Sequence, residues 1–410
     1  MIGAKKNGLL LSVSLTALFV GGCGIDNTDK NIVGRSSLVK VTPLFEISAA
    51  NMQPTVSTLK PGSPAFGVKG VKLEYKTHNQ KGEEILVSGL VTIPVPSKLI
   101  LAGLKKQGKN YSMSIVSDQH GTIFQDYESP SAAAAVTKKP YQAGTVLSAI
   151  GGFLTIQPDY IGFGSSNDKQ HPYFIEEDSA NVVVDMIKAT IQFGDTSNLP
   201  LNGQVYLTGY SEGGYITLAA AKEIETHHPD IKLAGVAPLS GPYDLNLTGM
   251  GVISNDNMSR PDFIGGIINS YASAYDYNLS TLLSAPYAST LPTLYDARDI
   301  TKPKEFIQAQ LTNDVGDFFT PAFRGDFLTN ANNALRVDFV NNSVDDYKPT
   351  APTQLYYCSG DSIIDPRLAL SASAKMGVPA IDLSAGLDHV PCATPAYATA
   401  AAWFAKLRSK

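Results

Sequence analysis

The sequence predicts an α/β protein with a mostly parallel sheet, helices on both faces and an inserted helical cap. The chain has 410 residues, of which 43% are hydrophobic, and a net charge of −5. Strand-like and helical runs alternate up to about residue 244, an order that favours parallel strands. Over residues 245–347 the alternation stops and Asn, Tyr, Phe and Asp become frequent. We therefore predict a core in two parts, residues 61–244 and 348–410, with the cap between them.

The N-terminus has the pattern of an export signal. Lys5 and Lys6 precede an apolar stretch that is too short to span a membrane, so we assign residues 1–22 as a signal peptide. Val-Gly-Gly before Cys23 is similar to a bacterial lipobox and predicts lipidation of Cys23. An incidental cysteine after a plain signal peptide is the alternative.

Residues 23–60 are interpreted as the lipidated N-terminus and a polar tether. Gly24 rather than Asp follows Cys23, which by similarity to Gram-negative lipoproteins favours the outer membrane. The predicted location is an exported outer-membrane lipoprotein attached through its N-terminal lipid, on the periplasmic or surface face. Without lipidation the protein is secreted.

A hairpin begins the predicted sheet, with strands at 71–75 and 85–93 around the turn sequence Gln-Lys-Gly-Glu. Further strands are predicted at 111–116, 153–157 and 233–239, and a helix at 178–193. After the cap, strands at 354–358 and 378–383 precede a final helix from Pro395 to Leu407.

The sequence Gly-Tyr-Ser-Glu-Gly at 209–213 lies between a β-branched and aromatic run and the alanine-rich run at 214–223. It is therefore a G-x-S-x-G motif at a strand-to-helix junction. Such a turn exposes the serine hydroxyl and leaves the next backbone N–H free. We predict that Ser211 is a nucleophile, with an ordinary glycine-rich turn as the alternative.

A serine hydroxyl needs a base to accept its proton, and an imidazole oriented by a carboxylate is the usual base. In doubly wound hydrolases, the acid and then the histidine follow the serine, each in a loop after a strand. Of six histidines, His389 alone follows the last predicted strand, and we assign it as the base. Asp361 is assigned as the acid, with Asp365 as the alternative.

Negative charge on a reacting carbonyl oxygen requires preorganised donors. The backbone N–H of Glu212, next to Ser211, is the first candidate. The second belongs to the loop after the third strand, where we assign the N–H of Thr122, with that of Gly121 as the alternative.

Two cysteines are predicted to form a disulfide. Cys358 lies three residues before Asp361 and Cys392 three residues after His389, so their loops are neighbours if acid and base meet. Export places them in an oxidising compartment. Two buried free thiols are the alternative.

One predicted cap helix places Phe263, Ile267, Tyr271 and Tyr275 four residues apart, an apolar face that could pack or contact a substrate. We expect packing for most of them. The acidic runs of the chain lack His or Cys at ligand spacing, so no metal or other cofactor is expected. The mildly acidic charge and the lack of a basic run exclude nucleic acid as a partner.

Six short segments in order give the chain a family resemblance. They are QHGT at 119–122, PDYIGFG at 158–164, HPY at 171–173, GYSEGG at 209–214, GD at 360–361 and DHVPC at 388–392. Over residues 67–407 the chain resembles the α/β-hydrolases, and more narrowly the secretory lipase and LipA-like esterase family. The resemblance implies an α/β-hydrolase fold and hydrolysis of carboxylic esters of lipids. It assigns the triad to Ser211, Asp361 and His389.

The apparent lipid anchor departs from this family, since fungal secretory lipases are released. Two other functions stay open: a serine peptidase of the prolyl oligopeptidase type, and a non-catalytic binding lipoprotein on a hydrolase scaffold. Such peptidases usually carry a large N-terminal module, and a decayed site would have lost a triad member. We therefore favour an ester hydrolase acting on a small-molecule or lipid ester.

Overall fold

The computed structural model describes residues 38–409, and its sheet has nine strands in the order β1-β2-β3-β5-β4-β6-β7-β8-β9. The strands are β1 Leu38–Ile47, β2 Gly67–His78, β3 Glu84–Val95, β4 Met113–Gln119, β5 Leu154–Pro158, β6 Leu201–Tyr210, β7 Lys232–Leu239, β8 Leu355–Tyr357 and β9 Ala380–Asp382. Strands β4 to β9 are parallel, and β1 to β3 are antiparallel at one edge. The predicted mostly parallel sheet and its hairpin are confirmed.

Fifteen α-helices lie in the described part of the chain. They are α1 Ala49–Leu59, α2 Lys98–Lys106, α3 Pro130–Thr137, α4 Glu176–Thr196, α5 Glu212–His227, α6 Leu245–Ile253, α7 Pro261–Tyr275, α8 Leu279–Leu282, α9 Tyr287–Thr290, α10 Lys304–Ala309, α11 Val315–Phe318, α12 Pro321–Thr329, α13 Ala334–Asn341, α14 Pro366–Met376 and α15 His389–Arg408. Within residues 38–409, no helix is long and apolar enough to cross a membrane.

Alternation along β6 shows why helices cover both faces of the sheet. Val205 and Leu207 belong to the hydrophobic core that contains the buried residues of α4 and α5. Tyr206 points to the other face, where its ring lies 4.9 Å from that of Phe404 in α15. Successive side chains of a strand point to opposite faces, so a central strand needs a helical cover on each.

The segment 38–59 is not a tether, and the interpretation of 23–60 is wrong over this part. It forms β1, which pairs with β2, and α1, whose Met52 and Val56 are buried beside Val68. The edge strand β1 is only half-buried and contains Pro43, so its alternation is too weak to identify from sequence. The assignments of the signal peptide and of Cys23 lie outside the described residues.

Helices α6 to α13 form a helical insertion between β7 and β8. Its aromatic composition is explained by a core of phenylalanines that α11, α12 and α13 bury: Phe318, Phe323, Phe327 and Phe339 are at most 5% exposed. In α7, Tyr271 is buried and its hydroxyl donates to the carbonyl of Phe174, 3.0 Å away. Tyr271 therefore belongs to the core.

Helix α15 begins at His389, six residues before the predicted start at Pro395. The carboxylate of Asp388 caps it by accepting from the His389 N–H. Pro391 is tolerated because the first turn of a helix has no use for its backbone donors. The helix continues through Pro395, so His389 is held at a helix N-terminus rather than in a free loop.

Candidate active site

Ser211 occupies a sharp turn between β6 and α5, with φ 62° and ψ −120°. A non-glycine residue with positive φ is strained, and such strain persists only where the surroundings impose it. A side chain at position 213 would overlap the carbonyl of Gln119, and one at position 209 would lie 2.5 Å from the carbonyl of Gly213. Both glycines of the motif are therefore required by close backbone approach.

Ser211, His389 and Asp361 form a continuous hydrogen-bonded series. His389 Nε2 lies 2.9 Å from Ser211 Oγ, and His389 Nδ1 lies 2.6 Å from Asp361 Oδ2. All three residues are buried, with 6–8% of their surface exposed. An ionised carboxylate only accepts, so Nδ1 carries the proton and Nε2 is left to accept one from the serine.

The structure brings Asp361, not Asp365, to His389. Asp361 Oδ1 accepts from the backbone N–H groups of Ile363 and Ile364, at 3.0 and 2.8 Å, which fixes the carboxylate. Asp365 caps α14 instead and pairs with the exposed Arg367. Of the two acids that the sequence left open, only Asp361 is in contact with the imidazole.

Several bonds join the loops that carry the acid and the base. Asp388 Oδ1 accepts from the backbone N–H of Ser362 at 2.9 Å and from its hydroxyl at 2.8 Å. The predicted disulfide between Cys358 and Cys392 is present, with Cα atoms 6.1 Å apart and both residues buried. The two loops therefore form one cross-linked unit.

Removing this disulfide is expected to destabilise the protein and loosen the contact between acid and base. A double Cys358→Ser, Cys392→Ser variant should lose about 3–4 kcal/mol of unfolding free energy, because the bridge closes a loop 34 residues long. Denaturant titration of both proteins measures this loss, and ester turnover at equal folded concentration measures the looser contact. The matched control is reductant, which should weaken only the wild type. Equal stability of both proteins, or free thiols in non-reducing peptide maps, would contradict the prediction.

Two backbone segments border Ser211, and they are the ones predicted to hold the donors. Glu212 begins α5, so its N–H belongs to the first helical turn, where backbone donors lack an intrahelical partner. On the other side, a side chain at Gly121 would lie 3.6 Å from Ser211 Cβ. The fold thus brings residues 121 and 122 beside the serine, although ninety residues separate them from it in the chain.

One loop contacts both of these segments. His171 Nε2 lies 2.8 Å from Glu212 Oε1, and the hydroxyl of Tyr173 lies 2.6 Å from Thr122 Oγ1. Reasoning from sequence weighed His171 only as a base and missed this contact. The available signal was the acidic residue inside the G-x-S-x-G motif, because a carboxylate buried at that turn requires a partner.

His120 directly precedes the segment 121–122 that borders Ser211, but its ring is not placed to act as the base. Its ring is buried and stacks on the ring of Tyr160, with the ring centroids 3.9 Å apart. Its Nδ1 lies 2.8 Å from the carbonyl oxygen of Gly121. Burial lowers the pKa of His120. Burial also raises the pKa of Asp118, beneath the same loop, to about 6, against a hydrogen bond from Gln157 that lowers it. This histidine therefore supports the loop and does not serve Ser211.

Ser211 borders two cavities. The larger, about 820 Å³, is lined by apolar side chains of α6, α7 and α14 together with polar residues of the adjoining loops. The smaller, about 470 Å³, is lined by His389, Gly121, Glu128 and Lys304 and by apolar side chains that include Ile123, Phe124 and Val390. No group of three or more potential metal ligands occurs between residues 38 and 409.

A family model described as secretory lipase matches residues 123–375, which include Ser211, Asp361 and the helical insertion. The chain belongs to the secretory lipase family. It is therefore a hydrolase of the lipase and esterase class, and membership in a secretory family indicates export. No curated protein matches the chain.

Solved structures share the α/β-hydrolase fold of this secretory lipase family member. A candidate hydrolase from Legionella pneumophila is 25% identical, with a TM-score of 0.79 over 91% of this chain and 98% of that one. The rice cell wall degrading esterase LipA from Xanthomonas oryzae is 22% identical, with a TM-score of 0.76 over 91% and 97%. Candida antarctica lipase A is 15% identical, with a TM-score of 0.59 over 87% and 78%.

Proposed function

We propose that the protein hydrolyses carboxylic esters through an acyl-enzyme on Ser211. The observation that carries the proposal is the unbroken series of hydrogen bonds from Ser211 Oγ through His389 to Asp361. Ser211 lies at a strained turn, beside two cavities that can hold the two halves of an ester. A serine that borders a cavity and is held against an oriented base and acid meets the requirements of nucleophilic acyl transfer.

In this mechanism Ser211 Oγ attacks the ester carbonyl while His389 Nε2 accepts its proton. The oxyanion receives hydrogen bonds from the N–H of Glu212 and the N–H of Thr122, with Gly121 as the alternative to Thr122. Collapse breaks the bond to the alcohol, which takes the proton from His389. Water then attacks the acyl-enzyme by the same steps, releasing the acid and restoring Ser211. Asp361 stabilises the imidazolium throughout.

The positions of the two cavities assign the two halves of the ester. His389 must reach the leaving oxygen, and His389 lines the smaller cavity, so the alcohol lies there. The acyl chain then extends into the larger cavity, whose apolar walls favour its burial. Residues of the insertion supply much of that wall, so we propose that residues 245–347 act as a cap that shapes the acyl site.

Enlarging the acyl cavity is expected to change chain-length preference. Ile267 lines the larger cavity and not the smaller one, Phe263 lines both, and Tyr271 of the same helix is buried in the core. Phe263→Ala or Ile267→Ala should change the ratio of kcat/KM between long and short acyl esters about tenfold, since one methylene in an apolar pocket is worth roughly 1–3 kcal/mol.

Tyr271→Ala is the control on the same helix: it should lower stability and leave that ratio as in the wild type. A ratio that is unchanged in Phe263→Ala and Ile267→Ala would mean that the acyl chain lies elsewhere.

The proposed function is tested by hydrolysis of an ester series of graded acyl length, with matched amides as the control. Ester turnover and labelling of Ser211 by a fluorophosphonate are expected. Preferential amide cleavage would favour a peptidase, and binding without turnover would favour a non-catalytic lipoprotein.

Attachment through Cys23 to the outer membrane is proposed from the sequence alone. The mass of the mature N-terminal peptide tests it. A Cys23 that carries a thioether-linked diacylglycerol supports the anchor, and an unmodified peptide means that the protein is secreted.

A further inference from the structure

The loop His-Pro-Tyr at residues 171–173 is bound to both sides of the candidate oxyanion site. It contacts Glu212, the first residue of α5, and Thr122, which follows β4. These two residues belong to separate segments of the chain that meet only in the folded protein. The loop thus makes a hydrogen bond to each of these two side chains.

The bond to Glu212 is buried on the carboxylate side, whereas the His171 side chain is 18% exposed. Glu212 is only 2% exposed. On the other side of the imidazole, His171 Nδ1 lies 2.8 Å from the carbonyl oxygen of Ile161. A carbonyl only accepts, so Nδ1 carries a proton. Losing His171 would leave the buried carboxylate of Glu212 without this partner.

The bond to Thr122 is buried on the Tyr173 side, whereas Thr122 is partly exposed. Tyr173 is 4% exposed, and its ring stacks on Phe174 at 4.2 Å. The N–H of Tyr173 donates to the carbonyl of His171 at 3.0 Å, which ties the two side chains into one short unit. A shift of this unit would therefore move Glu212 and Thr122 together.

We propose that His171 and Tyr173 are positioning residues that set the separation of the two oxyanion donors. The inference rests on the proposed function and adds the means by which its donors are aligned. Donors act only within about 2.7–3.1 Å of the oxyanion, so fixing both residues to one rigid loop preserves a geometry that two independent segments would lose. In this proposal neither residue contacts the reacting atoms.

The test is Tyr173→Phe, which removes one hydroxyl and keeps the ring against the cavity. We expect kcat to fall about tenfold with KM unchanged, short of the roughly hundredfold to thousandfold loss when a donor is removed outright. Affinity for a trifluoromethyl ketone, which forms an oxyanion adduct with serine, should fall in parallel. The matched control is Tyr271→Phe, which removes a buried hydroxyl that bonds to Phe174 in the same loop and should leave kcat unchanged.

Rescue and coupling separate positioning from general stability. Thr122→Ser keeps the hydroxyl and should lose less activity than Thr122→Val, whereas Thr122→Val should match Tyr173→Phe, and the losses at 122 and 173 should not add. His171→Gln should also lower kcat without raising KM. Equal activity of Tyr173→Phe and Tyr271→Phe, or additive losses at 122 and 173, would overturn the inference and leave ester hydrolysis untouched. Hydrolysis that survives Ser211→Ala would instead overturn the proposed function.

Discussion

Replacing Ser211 with alanine is expected to lower kcat for ester hydrolysis by about 10⁴–10⁶-fold, because the nucleophile is lost while the donors and the binding cavities remain. The variant should still fold. Alanine at φ 62° is no more strained than serine, and Ser211 N–H keeps its bond to the carbonyl of Leu239, at 2.9 Å. The measurement is turnover of a short-chain ester together with fluorophosphonate labelling, and both should disappear.

Ser240 offers a matched control. It follows β7 as Ser211 follows β6, is buried and also has a positive φ, 44°. Ser240→Ala should keep labelling and most of the activity, because the hydroxyl bonded to His389 Nε2 is that of Ser211. If Ser211→Ala retained both, or if Ser240→Ala lost both, Ser211 would not be the nucleophile.

Asp361→Asn is expected to lower kcat by about 10⁴-fold, as for other orienting carboxylates. The backbone N–H groups of Ile363 and Ile364 require an acceptor, so the amide oxygen of the asparagine takes the place of Oδ1. The amide NH₂ then faces His389 Nδ1. Nδ1 must then accept, which places the ring proton on Nε2 and removes the acceptor that Ser211 requires. Steady-state kinetics at equal folded concentration measure the loss.

Asp365→Asn separates this effect from general disturbance of the loop. Asparagine at position 365 can still cap α14. The ion pair that is lost involves an Arg367 side chain that is 78% exposed, so it contributes little to stability. We expect activity within about twofold of the wild type, since exposed ion pairs contribute roughly 0–1 kcal/mol. The reverse ranking of the two variants would transfer the acid role to Asp365.

Local rules explain why much of the site was predictable. A strand that must turn sharply into a helix needs glycine at positions 209 and 213, because neighbouring carbonyls leave no room for a side chain. Parallel strands bring their carboxyl ends to one edge, so residues after β6, β8 and β9 were expected to meet, and Ser211, Asp361 and His389 do lie together. The disulfide follows from the same convergence.

Features without a strong local signal were missed. The strand β1 is a half-exposed edge that depends on pairing with β2, and its sequence was taken for a tether. The start of α15 depends on the cap by Asp388, which stabilises the helix N-terminus although Pro391 and Pro395 disfavour a helix there. Periodicity placed Phe263, Ile267 and Tyr271 on one face of α7, but only packing against Phe339 and Phe174 decides that Tyr271 is core.

The sequence by itself determined the mostly parallel sheet, the strained turn at Ser211 and the order of serine, acid and histidine, because these depend on periodicity, glycine sterics and chain direction. Only the tertiary structure decided between Asp361 and Asp365, divided the space beside Ser211 into two cavities, and placed His171 and Tyr173 against Glu212 and Thr122. These outcomes depend on distances of a few tenths of an ångström between segments far apart in the chain, which no local pattern encodes.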